Sequence, residues 1–220
     1  MERTSRYDDR RHAGRVLAGL LTAHPLLAGR APPTVLGLPR GGVVVAAPVA
    51  EALHCALDAV VVRKLGLPGR PELAMGAVAA VAGRLEVVWN RAILAQAEVP
   101  DADLDAVVRR EVAELRRRDE TYRAGRPAPA LEGGVAVLVD DGLATGATMR
   151  AALAAVRGHR PATVVVAVPV GAPETCRSLA REVDVLVCPS MPRPFHAVGE
   201  AYADFSPTSD AEVQEALRVG

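Results

Sequence analysis

Apolar and polar positions follow one another along this chain in blocks that predict strands and helices in turn. Uninterrupted apolar runs such as Val135–Val139 indicate strands that are buried on both faces of a parallel sheet. Runs with apolar residues three or four positions apart indicate helices between these strands. The predicted strands are Thr34–Leu38, Ala56–Val62, Ala77–Ala82, Leu85–Val88, Val135–Val139, Thr163–Val168 and Val183–Val187. We therefore expect an α/β fold with a mainly parallel central sheet flanked by helices.

Two segments rich in glycine or proline interrupt this pattern. Leu65–Met75 contains closely spaced glycine and proline residues, which predict a mobile loop, with Arg70 and Glu72 as exposed loop charges. Residues 188–208 show no periodicity. The helix that follows them opens with a capping box, in which Ser209 and Glu212 each satisfy a backbone N–H group of the other.

Length and composition predict one globular domain over residues 1–220, with a core at about residues 30–190. Half of the residues are apolar, yet no apolar run is long enough to cross a membrane. The first fifteen residues carry charges of both signs and lack the apolar centre of a signal peptide. Three cysteines without CxxC spacing fit small packing residues in a reduced compartment, so we expect a cytoplasmic protein.

The charge pattern gives no sign of a nucleic-acid partner. The formal net charge is zero, and the arginines of residues 109–126 are interleaved with glutamates and aspartates, as on a solvated helix. Arginine supplies 25 of the 26 basic residues, and Lys64 is the only lysine. A single lysine in such a chain is a candidate for a position that needs a compact ammonium group.

The strand Val135–Val139 is followed by the segment that has the clearest candidate ligand-binding groups. Asp140 and Asp141 follow it directly, at the edge of a parallel sheet where ligands bind. The next helix is predicted to begin near Ala147, so the amides of Thr145–Thr148 are open to an anion. Two carboxylates would repel a bare phosphate, but they can accept hydrogen bonds from hydroxyl groups. A ligand such as ribose 5-phosphate satisfies both halves of this segment.

The sequence VLVDDGLATGAT closely resembles the phosphoribosyl diphosphate (PRPP) binding motif of the type I phosphoribosyltransferases. The resemblance implies that Asp140 and Asp141 bind the ribose hydroxyls. It also implies that the loop Ala144, Thr145, Gly146, Ala147 and Thr148 binds the 5-phosphate. Ala144 stands where many members have threonine, so one hydroxyl is absent from this loop.

Further residues fit the same family pattern. The turn Pro39-Arg40-Gly41-Gly42 follows a strand and resembles the pyrophosphate loop, which implies that Arg40, Gly41 and Gly42 bind the diphosphate. Arg63 and Lys64 are predicted to end the second strand at the same edge, where cations would neutralise the departing pyrophosphate. With the acid pair they form the predicted catalytic set, and Leu65–Met75 resembles the family's flexible lid.

The acceptor is less defined by the sequence. Residues 188–208 contain three of the six aromatic residues of the chain: Phe195, Tyr202 and Phe205. These rings either pack this segment against the core or stack on an acceptor base. The segment is a candidate part of the small hood that often holds the base in this family, and His196 is a candidate hydrogen-bonding group there.

The predicted activity is transfer of ribose 5-phosphate from PRPP to a purine or pyrimidine base, as in nucleotide salvage, with release of pyrophosphate. The resemblance implies Mg²⁺ held mainly by substrate oxygens and water, without direct protein ligands. A homodimer is an open possibility. The alternative is a catalytically silent PRPP- or nucleotide-binding regulatory protein of the same fold. A receiver-type phosphoacceptor domain fits poorly, because its acid pair would follow the first strand.

Overall fold

The computed structural model describes residues 7–27, 31–97 and 99–218. Five parallel strands form the central sheet in the order β2-β1-β6-β7-β8. They are β1 (Thr34–Gly37), β2 (Ala56–Ala59), β6 (Val135–Val139), β7 (Thr163–Ala167) and β8 (Val185–Val187). The predicted α/β class and parallel sheet are confirmed.

Helices cover both faces of this sheet. One core contains side chains of α1 (Arg10–Thr22), α2 (Gly41–Leu53), α4 (Asp101–Arg123) and α7 (Asp210–Arg218). The other contains side chains of α5 (Ala147–Gly158) and α6 (Pro173–Leu179). Alternate residues of β6 enter the two cores, and Ala136–Val139 are fully buried, as an uninterrupted apolar strand requires. The predicted capping box is present, with Ser209 and Glu212 bonded to each other's backbone N–H groups.

A second, antiparallel sheet stands outside the parallel one. Its strands are β3 (Val61–Leu67), β4 (Arg70–Val81) and β5 (Arg84–Trp89), and a short helix, α3 (Arg91–Ala97), follows it. The expectation of one strand over Ala56–Val62 is therefore wrong. The chain leaves the parallel sheet at Val60, which is buried and whose amide donates to the Gly37 carbonyl at 2.9 Å.

The prediction of a loop over Leu65–Met75 is also wrong, because most of this segment belongs to the β3–β4 hairpin. Gly66 instead allows β3 and β4 to approach each other closely. A Cβ atom on Gly66 would lie 2.6 Å from the Pro71 carbonyl oxygen of the paired strand. Arg70 and Glu72 are exposed, as predicted, but they lie in β4.

The C-terminal segment 188–208 runs beside α1. It contains a 3₁₀ turn (Val198–Ala201) and pairs Tyr202 with Tyr7 in an isolated parallel bridge. Among the described residues, no helix is long and apolar enough to cross a membrane.

Candidate active site

Two loops meet at the carboxyl edge of the central sheet, because the strands before them, β1 and β6, are neighbours. The turn after β1 packs directly on the acid pair after β6. A Cβ atom on Gly41 would lie 1.9 Å from Oδ2 of Asp141, and one on Gly42 would lie 2.8 Å from the Asp140 Cα. Only glycine fits at either position, so these residues bring two candidate ligand loops into contact.

The acid pair is held in a partly buried, charged environment. Arg10 of α1 donates from Nε to Oδ2 of Asp141 at 2.9 Å, and both side chains are less than one-fifth exposed. Burial raises the pKa of Asp140 well above its usual value, and the charge of Asp141 raises it further. Burial also raises the pKa of Asp141, although Arg10 opposes this effect. One cation therefore compensates in part for two adjacent carboxylates.

The loop Ala144–Thr148 leads into α5 without a side-chain cap. Gly146 is the N-cap residue, with a φ of 75° that favours glycine. The Ala147 amide contacts the Thr145 hydroxyl at 3.5 Å, and the amides that follow it in the first turn are open to an external acceptor. The Thr175 hydroxyl donates to the Ala144 carbonyl at 2.7 Å, and Arg150 donates to the Thr145 carbonyl at 3.2 Å. These contacts fix the loop from the side of α6 and from within α5. The geometry suits an anion.

Arg40 begins α2 as its N-cap residue and is exposed. It makes no ion pair with any residue that the structure describes. Arg40 directly precedes Gly41 and Gly42 in the turn that meets the acid pair, so it is a candidate to contact a ligand there.

Arg63 and Lys64 lie within β3, so the expectation that they end a strand of the parallel sheet is wrong. Arg63 binds Glu111 of α4, with its NH2 group 2.6 Å from Oε2. Burial raises the pKa of Glu111, but hydrogen bonds from Arg63 and Arg110 outweigh this effect and leave the pKa lowered. Arg63 is thus engaged with a charged partner, whereas Lys64 is exposed and forms no ion pair within the described part of the chain.

A cavity of about 320 Å³ lies between the antiparallel sheet and the start of α5. Lys64 and Trp89 line it on the sheet side, and Thr145, Thr148 and Arg150 line it on the helix side. The only lysine of the chain therefore shares a cavity with the predicted phosphate loop. The acid pair does not line this cavity.

The three aromatic residues of the C-terminal segment differ in exposure. Tyr202 is 3% exposed, packs against the rings of Tyr7 and Phe205, and donates to the Asp141 carbonyl at 2.6 Å. This burial argues against base stacking by Tyr202. Phe205 lies 4.0 Å below the Arg10 guanidinium, and Phe195 is partly exposed. The predicted base contacts of Phe195 and Phe205 stay predictions, as does a role for the exposed His196.

Three contributors to this site were missed by sequence reasoning. Arg10 lies 131 residues from its partner Asp141, and Glu111 lies 48 residues from Arg63, so no local pattern could reveal either pair. Trp89 was available as the only tryptophan of the chain, a signal that could have drawn attention to it.

Comparisons with known proteins agree with this architecture. A family profile for the phosphoribosyl transferase domain matches residues 4–198. Two curated proteins of Mycobacterium tuberculosis, named "Putative phosphoribosyl transferase Rv0571c" and "Putative phosphoribosyl transferase MT0597", are each 46% identical over 207 residues. The matches cover 94% of this chain but 45% of each relative, so the chain spans slightly less than half of their length.

A solved structure extends the agreement to three dimensions. The crystal structure of TT1426 from Thermus thermophilus is 47% identical and superposes with a TM-score of 0.81, over 96% of this chain and 97% of that one. Fold and site define an α/β protein with two candidate ligand loops in contact at the carboxyl edge of its sheet. The chain belongs to the phosphoribosyl transferase family.

Proposed function

We propose that this protein transfers ribose 5-phosphate from PRPP to a purine or pyrimidine base and releases pyrophosphate. The observation that carries the proposal is the contact between the Arg40-Gly41-Gly42 turn and the pair Asp140–Asp141. This contact puts a candidate pyrophosphate loop beside a candidate ribose site, and the Ala144–Thr148 loop continues from the same strand.

The roles follow from the donors and acceptors of each element. The open amides of Ala144–Thr148 bind the 5-phosphate, and the carboxylates of Asp140 and Asp141 accept hydrogen bonds from the ribose hydroxyls. The glycine amides and the free guanidinium of Arg40 bind the diphosphate. Fixing both ends of PRPP and its diol orients C1′ toward the acceptor.

In the reaction, the bond between C1′ and the diphosphate oxygen breaks, and a nitrogen of the base forms the new bond to C1′. Positive charge develops on the ribose ring as the pyrophosphate leaves. Arg40 stabilises the negative charge of the leaving group, because it lies beside the glycine turn and has no competing carboxylate among the described residues. Lys64 lines the cavity beside the phosphate loop and supplies a cation on that side of the ligand. Glu111 already accepts hydrogen bonds from Nε and NH2 of Arg63, so Lys64 is the more available cation.

Mg²⁺ fits this site as an ion held mainly by the substrate. The described residues contain no group of three histidine, cysteine, aspartate or glutamate side chains placed to hold a metal ion. Asp140 and Asp141 would hold it through water, while phosphate oxygens supply the other ligands. When bound, the ion neutralises charge on the diphosphate.

A double substitution tests the proposal. Asp140→Asn with Asp141→Asn is expected to weaken PRPP binding roughly 100-fold or more, because each hydrogen bond to a charged group contributes about 1.5–3 kcal/mol. Titration calorimetry with PRPP and Mg²⁺ measures the affinity. The matched control is Asp103→Asn with Asp105→Asn, which removes two exposed carboxylates from α4.

Unchanged affinity in the Asp140 and Asp141 double variant would refute the proposed PRPP site. The activity itself is measured as pyrophosphate release from the unmodified protein with PRPP, Mg²⁺ and a panel of purine and pyrimidine bases. Consumption of one base identifies the acceptor. PRPP binding without pyrophosphate release for any base would instead support the silent regulatory protein.

A further inference from the structure

Cys176 and Cys188 lie with their sulfur atoms 3.7 Å apart. Both are free thiols; Cys176 belongs to α6 and is buried, and Cys188 follows β8 and is partly exposed. A disulfide bond holds its sulfur atoms about 2.05 Å apart, so a displacement of roughly 1.7 Å closes the gap. Small packing residues were expected at these positions, but the structure brings two thiols into direct contact.

The thiol pair lies directly beneath the backbone that supports the candidate phosphate loop. A Cβ atom on Gly171 would lie 2.4 Å from Sγ of Cys176 and 3.3 Å from Sγ of Cys188. The chain at Gly171 bridges to Leu143, and the Ala172 amide donates to the Leu143 carbonyl at 2.8 Å. Leu143 immediately precedes Ala144. One layer of backbone therefore separates the sulfur atoms from the loop.

A second contact joins α6 to the same loop. Thr175, the neighbour of Cys176, donates to the Ala144 carbonyl at 2.7 Å. A Cβ atom on Gly146 would lie 2.8 Å from the Thr175 methyl group, so the loop packs closely on this turn of α6. A shift of Cys176 toward Cys188 must therefore move Thr175 or strain its contacts with the loop.

The chemistry of the pair also suits oxidation. The hydrogen bond with Cys188 lowers the pKa of Cys176, because the neighbouring thiol stabilises the thiolate. The partly exposed Cys188 gives a small oxidant access to the pair. Cys55 provides the contrast, since burial raises its pKa to about 11.

We propose that Cys176 and Cys188 form an oxidative modification site, at which a peroxide converts the two thiols into a disulfide that alters the Ala144–Thr148 loop. One thiol loses its proton, the thiolate attacks a peroxide oxygen, and the O–O bond breaks to give a sulfenic acid and hydroxide, which takes up that proton and becomes water. The second thiol attacks the sulfenic sulfur, the S–S bond forms, and a second water leaves. The two sulfur atoms are oxidised by two electrons, which reduce the peroxide.

Thiol counting tests the modification on the intact protein. Hydrogen peroxide is expected to reduce the number of free thiols from the three present to one, and peptide mapping without reductant should find Cys176 joined to Cys188. Cys55→Ser is the matched control and should still form the disulfide. Cys188→Ser, with Cys176→Ser as a second variant, should form none. Loss of thiols without this crosslink, or equal oxidation of Cys55, would overturn the proposal.

Hydrogen exchange tests the effect on the loop independently of any ligand. Amide exchange across residues 143–149 should differ between reduced and oxidised protein and return to its initial rate with dithiothreitol. A disulfide that leaves this exchange unchanged would refute the coupling. The functional consequence rests on the proposed function: PRPP affinity should fall at least about fivefold on oxidation. If the reduced protein binds no PRPP, the proposed function fails, while thiol counting and exchange still decide the modification.

Discussion

Arg10 supplies the charge on which the acid pair depends. Its guanidinium contacts Asp141, donates to the Ser206 carbonyl at 2.8 Å and lies over the ring of Phe205. These contacts fix the cation between α1 and the C-terminal segment. Burial raises the pKa of both Asp140 and Asp141, whereas the Asp141 backbone N–H group and the Arg10 guanidinium favour their ionised state.

Arg10→Ala is expected to weaken PRPP binding roughly tenfold near neutral pH, because hydrogen bonds to charged groups contribute about 1.5–3 kcal/mol. The substitution should also raise the pKa of the acid pair, so the pH at which binding reaches half its maximum should move upward. Calorimetric titrations at several pH values measure both effects. Arg11→Ala, an exposed neighbour in α1, is the control and should change neither. An unchanged midpoint would contradict this role for Arg10.

At the scale of elements, the turn into α5 combines a backbone requirement with close packing. Gly146 has a positive φ, and its Cα hydrogen faces Thr175 and Arg150 without room for a Cβ atom. The loop conformation therefore depends on glycine for two separate reasons. Because the following amides are the candidate phosphate donors, a change at this turn moves the donors themselves.

Gly146→Ala is expected to reduce PRPP affinity and lower the free energy of unfolding by more than backbone strain alone. Gly133→Ala is a matched control, since Gly133 has a φ of 69° and no heavy atom lies within 4 Å of the position that its Cβ would take. The control should lose about 1–2 kcal/mol, the cost of a left-handed conformation for an L-residue. Urea unfolding and calorimetry measure the two effects. Equal losses of stability in both variants would show that the close contact with Thr175 does not affect the free energy of unfolding.

The elements also show where sequence patterns stop being informative. The strands of the parallel sheet were predictable, since strands buried on both faces require apolar runs such as Val135–Val139. The continuous run Ala56–Val62 concealed a change of sheet, because hydrophobicity does not specify which strands pair. In the segment 65–75, Gly66 permits close strand pairing, a role that its sequence context cannot distinguish from loop flexibility.

The candidate site was predictable to a similar extent. The acid pair, the Thr/Gly loop and the Arg40-Gly41-Gly42 turn were found because each is contiguous in sequence. Arg10 escaped detection because its contact with Asp141 is created only by folding. The position of Lys64 beside Thr145 likewise depends on how the antiparallel sheet packs against α5.

For the whole molecule, the acid pair makes stability depend on pH. An aspartate whose pKa is raised by folding binds more protons in the folded state than in the unfolded state. The stability of the protein therefore falls as the pH rises from the unfolded pKa, near 4, through the raised pKa of Asp140. Below that range the carboxyl is neutral in both states and the penalty disappears.

Asp140→Asn is expected to raise the free energy of unfolding at neutral pH by about 1 kcal/mol or more and to have little effect in acid. The amide oxygen can still accept from the Asp141 N–H group, as Oδ1 of Asp140 does at 2.9 Å. Asp204→Asn is a control that should instead lower the free energy of unfolding at neutral pH, because hydrogen bonds from Ser206 lower the pKa of Asp204. Urea unfolding over a pH series measures both, and a stability gain that persists in acid would contradict the electrostatic explanation.

The two sheets are joined through Val60, a single buried residue whose amide is bonded to the last residue of β1. Such a joint cannot act as a free hinge. Any displacement at the base of the β3–β4 hairpin must break the bond to Gly37 or carry the end of β1 with it. Arg40 lies three residues beyond Gly37. The hydrogen bond between Val60 and Gly37 therefore couples movement of the hairpin that contains Lys64 to movement of the turn that contains Arg40.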